Sequence, residues 1–360
     1  MPKAVGFGCS VSLFPFHFYL LLVFRFSVNS VVQGFRLTML KRSLYYAAMK
    51  RPRKIPVVIG PTCVGKTAFS VELALAIDAE IISCDSRQVY VGMDIGTAKT
   101  PYHLQQIVRH HLIDMVYPDE KYNAQLWAEQ SESVIDDIHE RKKMPLIVCG
   151  TGLYLAALTE GFFPLPRRSE RRKRAIAERI HDIEQKQSIH DYLSSIDAES
   201  AERIHPHDLY RIRRAVEIYL LTKKPLSVHR RQTHKKRNLK YVFVGLTMER
   251  DLLYLRIDQR VEEMVERGFI QEVRQLLVNG YSRDLGAFHA PGYNEFIKYT
   301  CGELSRDAAI EETKVKTRNY AKRQFTWFKK IDEAHWLDVT DGYGERICEA
   351  VQIISTGRSR

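Results

Sequence analysis

The segment Gly60-Pro61-Thr62-Cys63-Val64-Gly65-Lys66-Thr67 fits the pattern GxxxxGK[ST]. An apolar run at 55–60 leads into it, and Phe69, Leu73 and Ile77 follow at i, i+4, i+8. Strand, glycine-rich turn and helix in that order is the setting that gives the pattern its meaning. Glycines let backbone amides turn inward around an anion, and the helix N-terminus adds partial positive charge. Lys66 supplies a full charge, and the Thr67 hydroxyl is placed to ligate Mg²⁺. Residues 60–67 therefore predict a phosphate site without naming the phosphate compound; ATP is the commonest.

The rest of the chain is consistent with the fold this motif needs. Apolar runs at 80–84, 145–149 and 241–246, with a weaker one at 336–339, alternate with helical periods. That rhythm predicts an α/β fold of the P-loop NTPase-like kind, a parallel sheet flanked by helices. It breaks between 161 and 235, which read as an inserted helical domain rich in Arg, Lys and His. The core then divides into 49–160 and 236–345, with a C-terminal tail at 346–360. One long helix is expected at 251–279, weakest at Gly268, and another at 307–330.

Residues 1–48 read as a leader of doubtful status. The apolar stretch 11–24 is short for a membrane span and is interrupted by Pro15. An overextended start, a targeting leader and an anchor all fit, and Met49 makes a natural start. Charge is concentrated there too. Of the 55 Lys and Arg behind the net charge of +12, nine lie in residues 1–54, which hold no acid, so the body carries 46 basic against 43 acidic residues. A nucleic-acid argument must therefore rest on local clusters. Two exist in the helical insertion: Arg167, Arg168, Arg171, Arg172, Lys173 and Arg174, then Arg230, Arg231, Lys235, Lys236 and Arg237. The six cysteines contain no CxxC pair, which speaks against a zinc site or disulfide framework and fits a reducing cytosol.

Strand ends locate further candidates, because ligands of parallel sheets sit at the carboxyl ends of strands. Asp85 follows the second run and either faces the phosphate crevice or caps the next turn. Thr151 opens a helix after the third, where it caps that helix, donates to a phosphoryl oxygen, or both. Arg260, by its spacing alone, is a surface i,i+4 partner. Lys316, Tyr320, Arg323 and Trp327 share one helical face, suited equally to core packing and to holding a flipped-out base.

Several of these segments together resemble the tRNA dimethylallyltransferase (tRNA isopentenyltransferase) family, bacterial type. The segments are GPTCVGKT, ISCDSRQVYVGMDIGTAK at 82–99, LIVCGTGLYL at 146–155, the RIHPHD and RIRRAVE segments from 203 and 211, and TRNYAKRQFTWF at 317–328. The likeness spans 54–340. It implies transfer of a dimethylallyl group from dimethylallyl diphosphate to the exocyclic amine of the adenosine 3′-adjacent to the anticodon, giving N6-isopentenyladenosine and diphosphate. Under it Asp85 is the general base. Thr151, Arg260, Lys66 and Thr67 join residues 60–67 in holding the diphosphate, with Mg²⁺ as cofactor. Asp85, Ser86, Arg87 and Gln88, with Tyr210, Arg211, Ile212, Arg213 and Arg214, touch the anticodon loop. Lys173 and Arg174 grip the stem. The expected partners are the tRNA anticodon stem-loop and dimethylallyl diphosphate, with no membrane partner, for a cytoplasmic monomer. Asn294 stands where the family usually has a basic residue, and no zinc finger follows residue 340, which points to a bacterial or organellar form. A small-molecule kinase using ATP, and an RNA-binding protein with a degenerate phosphate loop, are the rival readings.

Overall fold

A computed structural model describes residues 54–163, 165–166, 169–231 and 239–356. The expectations for residues 1–48, and for Arg167, Arg168, Lys235, Lys236 and Arg237, lie outside them. The chain begins with β1 (Lys54–Ile59), α1 (Lys66–Ile77), β2 (Ala79–Cys84), α2 (Tyr102–Ile107), β3 (His110–His111), α3 (Ala124–Glu140), β4 (Met144–Cys149) and α4 (Gly152–Thr159). Helices alone follow: α5 (Glu170–Lys186), α6 (Ile189–Ile196), α7 (Ala198–Arg203), α8 (Leu209–Thr222) and α9 (Leu226–Arg231). Then come β5 (Lys240–Thr247), α10 (Arg250–Glu266), α11 (Phe269–Val278), a 3₁₀ turn (Gly286–His289), α12 (Tyr293–Thr300), α13 (Arg306–Phe328), β6 (His335–Asp338) and α14 (Gly344–Thr356).

The strands form one parallel sheet in the order β3-β2-β4-β1-β5-β6. β1 is central, with Val57 beside Ile147 on one side and Phe243 on the other. Its β-branched residues Ile55, Val57, Val58 and Ile59 are all buried, as a strand covered on both faces requires. Phe69, Leu73 and Ile77 seat α1 on the sheet, each contributing about 1.5–3 kcal/mol by burial. On the other face Trp127 is fully buried, and its indole nitrogen donates to the Ser83 carbonyl at 2.9 Å. That bond fixes the strand end two residues before Asp85.

The helices α5 to α9 bury their own apolar cluster, which includes Ile183, Leu193, Ile204, Ile212 and Val216. Asp197 joins them: Oδ1 accepts from the Ser200 amide at 3.1 Å, and Oδ2 accepts from the Ser200 hydroxyl at 2.7 Å and the Ser227 amide at 2.9 Å.

Three expectations change. The single helix at 251–279 is two, because Gly268 adopts φ +99° at the junction, a conformation open to glycine at little cost. The tail at 346–360 begins as the latter part of α14, where Ala350, Ile353 and Ile354, spaced to share one helical face, are buried. The sheet also gains β3, two residues long.

Candidate active site

All six strands run parallel, so the loops after β1, β2 and β4 emerge on one edge of the sheet. The first is the phosphate loop. Val64 buries its side chain, so that residue offers only its backbone to a ligand. Lys66 turns back over the loop, and its Nζ donates to the carbonyls of Gly60 at 2.8 Å and Pro61 at 2.7 Å. Loss of solvent pushes its pKa down to about 8, against the pull of Asp85. Arg260 reaches in from α10, with Nη1 3.2 Å from the Thr62 hydroxyl and 3.4 Å from Cys63 Sγ. It is therefore not a surface partner of its own helix: the loop has two cations, one from below and one from α10.

Asp85 fulfils both readings of it. Oδ1 accepts from the amides of Arg87 at 2.8 Å and Gln88 at 3.3 Å, capping the turn, and the residue also lines the cavity. Thr151 makes no side-chain cap to α4. Its Oγ1 accepts from the Ser86 amide at 3.0 Å instead, tying the β4 turn to the β2 turn. Gly152 follows because a Cβ there would lie 2.3 Å from the Trp327 ring, well inside contact distance.

Gln324, on α13, was not singled out by sequence. Its Oε1 accepts from the Thr62 amide at 2.8 Å, and its Nε2 donates to the Gly150 carbonyl at 2.6 Å. One buried amide thus bridges the phosphate loop and the β4 turn. Glu272 was missed as well. Its carboxylate accepts from the amides of Asp94, Ile95 and Gly96 and from the Tyr293 hydroxyl, pinning the loop after β2 to α11. Gln324 lies within the segment 317–328 that carries the resemblance, but nothing local marks its bonds to residues 62 and 150, and Glu272 belongs to no local pattern.

These groups surround a cavity of about 770 Å³, within the range of small-molecule sites. Lys66, Thr67, Asp85, Thr151 and Arg260 all line it. Lys316, Tyr320 and Arg323 form part of its α13 wall. Trp327, on the same expected face, packs into the core against Gly152 and Phe328. Asn294 lines the cavity without a charge, but Lys316 from α13 pairs with the buried Glu295 beside it.

The expected tRNA residues divide. Ser86, Arg87 and Gln88 line the cavity, although the Arg87 guanidinium also donates to the carbonyls of Gly286 at 2.7 Å and Ala287 at 3.2 Å. Those on the helical unit do not line it. Tyr210 is 82% exposed there. Arg211 pairs with Asp208 at 3.4 Å, Arg213 with Glu184 at 2.6 Å, and Arg214 with Glu217 at 2.5 Å. Lys173 pairs with Glu170 at 2.5 Å, and Arg174 is exposed. Ile212 is a correction: it is wholly buried in the helical cluster, so its side chain cannot reach a nucleic acid.

A phosphate loop, a carboxylate and the two cations Lys66 and Arg260 on one cavity are the features of a P-loop group-transfer enzyme. The chain belongs to the IPP transferase family, whose model matches residues 88–331. It is 42% identical over 300 residues to tRNA dimethylallyltransferase 2 of Geotalea uraniireducens, covering 83% of this chain and 96% of that one. The crystal structure of the full-length tRNA isopentenylpyrophosphate transferase from Bacillus halodurans matches with a TM-score of 0.63 and 39% identity, over 84% of this chain and 96% of that one. A eukaryotic dimethylallyltransferase acting on tRNA matches with a TM-score of 0.70 and 29% identity, over 85% of this chain and 80% of that one. No helix among the described residues is long and apolar enough to cross a membrane.

Proposed function

We propose that this site transfers the dimethylallyl group of dimethylallyl diphosphate to the exocyclic amine of the tRNA adenosine 3′-adjacent to the anticodon. The observation that carries the reading is that Asp85 and the phosphate-loop cation Lys66 line the same cavity. The amine lone pair is delocalised into the purine, so its nucleophilicity rises only as its proton leaves. Asp85 takes that proton while the N6–carbon bond forms. The allylic C–O bond breaks, and diphosphate departs with the electron pair. Lys66, Arg260 and the Thr151 hydroxyl stabilise the charge that accumulates on it, and do so more strongly in the transition state than before.

The donor set also suits Mg²⁺, which takes one or two protein oxygens together with substrate phosphates. Thr67 lines the cavity, and its hydroxyl would hold the ion, which would supply charge neutralisation to the diphosphate. The helices α5 to α9 lie along the anticodon stem through Lys173 and Arg174, and Tyr210 with its charged neighbours meets the anticodon loop. Ser86, Arg87 and Gln88 meet the loop nucleotides. The enzyme works as a monomer in the cytoplasm, where its tRNA substrate resides.

The test is direct. Asp85→Asn should retain diphosphate and tRNA binding and lose turnover by roughly 10²–10⁴-fold, read by nucleoside mass spectrometry of the tRNA. Near-normal turnover removes Asp85 from the mechanism. Consumption of ATP in place of dimethylallyl diphosphate would favour the kinase reading.

A further inference from the structure

A second, smaller cavity lies behind Asp85. It holds about 50 Å³ and is lined by Lys66, Thr67, Ser70, Ser83, Asp85 and His110, among others. Strand alternation builds it: Ile81, Ser83 and Asp85 point to the α1 face of the sheet, and His110 lies beside Ile81 in register on β3. Asp85 lines both cavities, together with Lys66, Thr67, Gln88 and Gly150, so it stands in the wall shared by the substrate cavity and this chamber.

Two observations give the chamber a content. Ser70 is only 1% exposed, and its hydroxyl has no hydrogen-bond partner within the protein. Buried hydroxyls are rarely left unsatisfied, and a polar space of this size admits about two to four waters. His110 closes the far side. Its Nδ1 lies 2.7 Å from the Val108 carbonyl. A carbonyl only accepts, so Nδ1 carries the hydrogen and Nε2 is left as an acceptor. The residue lines the chamber and is half-buried on β3, the edge strand of the sheet, so part of it meets solvent.

We infer that His110, through water in this chamber, takes up the proton that Asp85 has removed from the adenine and releases it to solvent. This rests on the assignment of Asp85 as the base. Each turnover leaves Asp85 protonated while the substrate cavity is filled by the modified nucleotide and diphosphate. A rear exit resets the carboxylate without waiting for that side to empty. The proton passes from Asp85 through water to His110 Nε2; the same Nε2–H bond then breaks to a water that exchanges with solvent, Nδ1–H stays on the Val108 carbonyl, and no bond to carbon is made or broken. His110 is a positioning and relay group that touches neither substrate. The charged or titratable groups facing it are His111 beside it and Lys66 and Asp85 across the chamber. Burial lowers its pKa from the ordinary value, which keeps Nε2 unprotonated near neutrality.

The experiment compares the first turnover, with full-length enzyme in excess over tRNA, with steady-state turnover, with tRNA in excess. Two variants are used. His110→Gln keeps a polar side chain but cannot carry the proton, and Ser70→Val fills the chamber with a methyl group. Both should leave the first turnover and the KM for tRNA within about twofold. Both should slow the steady state by roughly tenfold and raise its solvent deuterium isotope effect. A parallel fall of both phases would show a structural role only, and an unchanged steady state in both variants would remove the relay; either outcome overturns the inference. Asp85→Asn, measured alongside, separates the two readings. If that variant keeps its first turnover, the base assignment fails whatever His110 does.

Discussion

The backbone amide of Thr62 donates to Gln324 Oε1 at 2.8 Å, across 262 positions of sequence. The phosphate loop is therefore shaped from outside itself, by a helix near the end of the chain. Because Gln324 also donates to the Gly150 carbonyl, its two ends hold two turns that line the cavity.

Gln324→Ala leaves both partners open to cavity water, and should raise the KM for dimethylallyl diphosphate by roughly tenfold, from a hydrogen-bond loss of about 1–1.5 kcal/mol. Gln324→Glu keeps an acceptor for Thr62 but sets an anion beside the Gly150 carbonyl and the phosphate loop, and should do worse. Steady-state kinetics on both variants decides it. An unchanged KM in the Ala variant would refute the bridge.

Lys66 gives a pH dependence with a definite sign. Its pKa is lowered to about 8 by burial, and only the protonated form attracts diphosphate. kcat/KM for dimethylallyl diphosphate, which reports the free enzyme, should therefore hold below pH 8 and fall as pH rises through it. Lys66→Arg, charged throughout, should be less active but lose that limb. A wild-type profile flat from pH 7 to about 9.5 would place the group elsewhere.

Ile212 and Tyr210 are two residues apart and should behave oppositely. Ile212→Ala empties part of the helical cluster and should cost about 2–5 kcal/mol of stability. Tyr210→Ala should leave the melting temperature unchanged and weaken tRNA binding. Thermal unfolding and a filter-binding titration separate them, and a stable Ile212→Ala protein would contradict its burial.

The basic start of α5 should be read by salt. Arg171, Arg172 and Arg174 are exposed, but Arg172 also donates to the Leu221 carbonyl at 3.1 Å, and Lys173 pairs with Glu170. Replacing all four residues 171–174 by Ala should flatten the slope of log K for tRNA against log salt by up to about 0.9 per lost phosphate contact. Arg171→Ala with Arg174→Ala should account for most of it. Turnover at saturating tRNA should barely move. An unchanged slope in the quadruple variant would make this cluster a solvated face.

What sequence conveyed best was local. Residues 60–67 carry their conformation in their own glycines, and the alternation of strands and helices follows from burial on both faces of β1. The run Tyr210 to Arg214 misled because five consecutive residues turn through about 400° of helix, so one of them had to face inward, and it is Ile212. Gln324 and Glu272 could not be read, since their partners lie at distant positions. β3, with two residues, is shorter than any period it could display.

The strand order has a consequence for how the chain is made. Among the described residues β1 is the first strand synthesised, but its neighbours in the sheet are β4 and β5. Val57 meets Ile147 and Phe243, so the ribosome must add 90 further residues before one side of the strand can pair and 186 before the other can. At roughly 5–20 residues per second the apolar strand bearing the phosphate loop waits about 5–18 s for its first neighbour and about 9–37 s for its second. Both of its hydrogen-bonding edges stand open until the first neighbour arrives and one edge until the second, the condition under which nascent chains associate with one another. Slowing translation between 147 and 243 should lengthen that exposure, and with it the need for a chaperone.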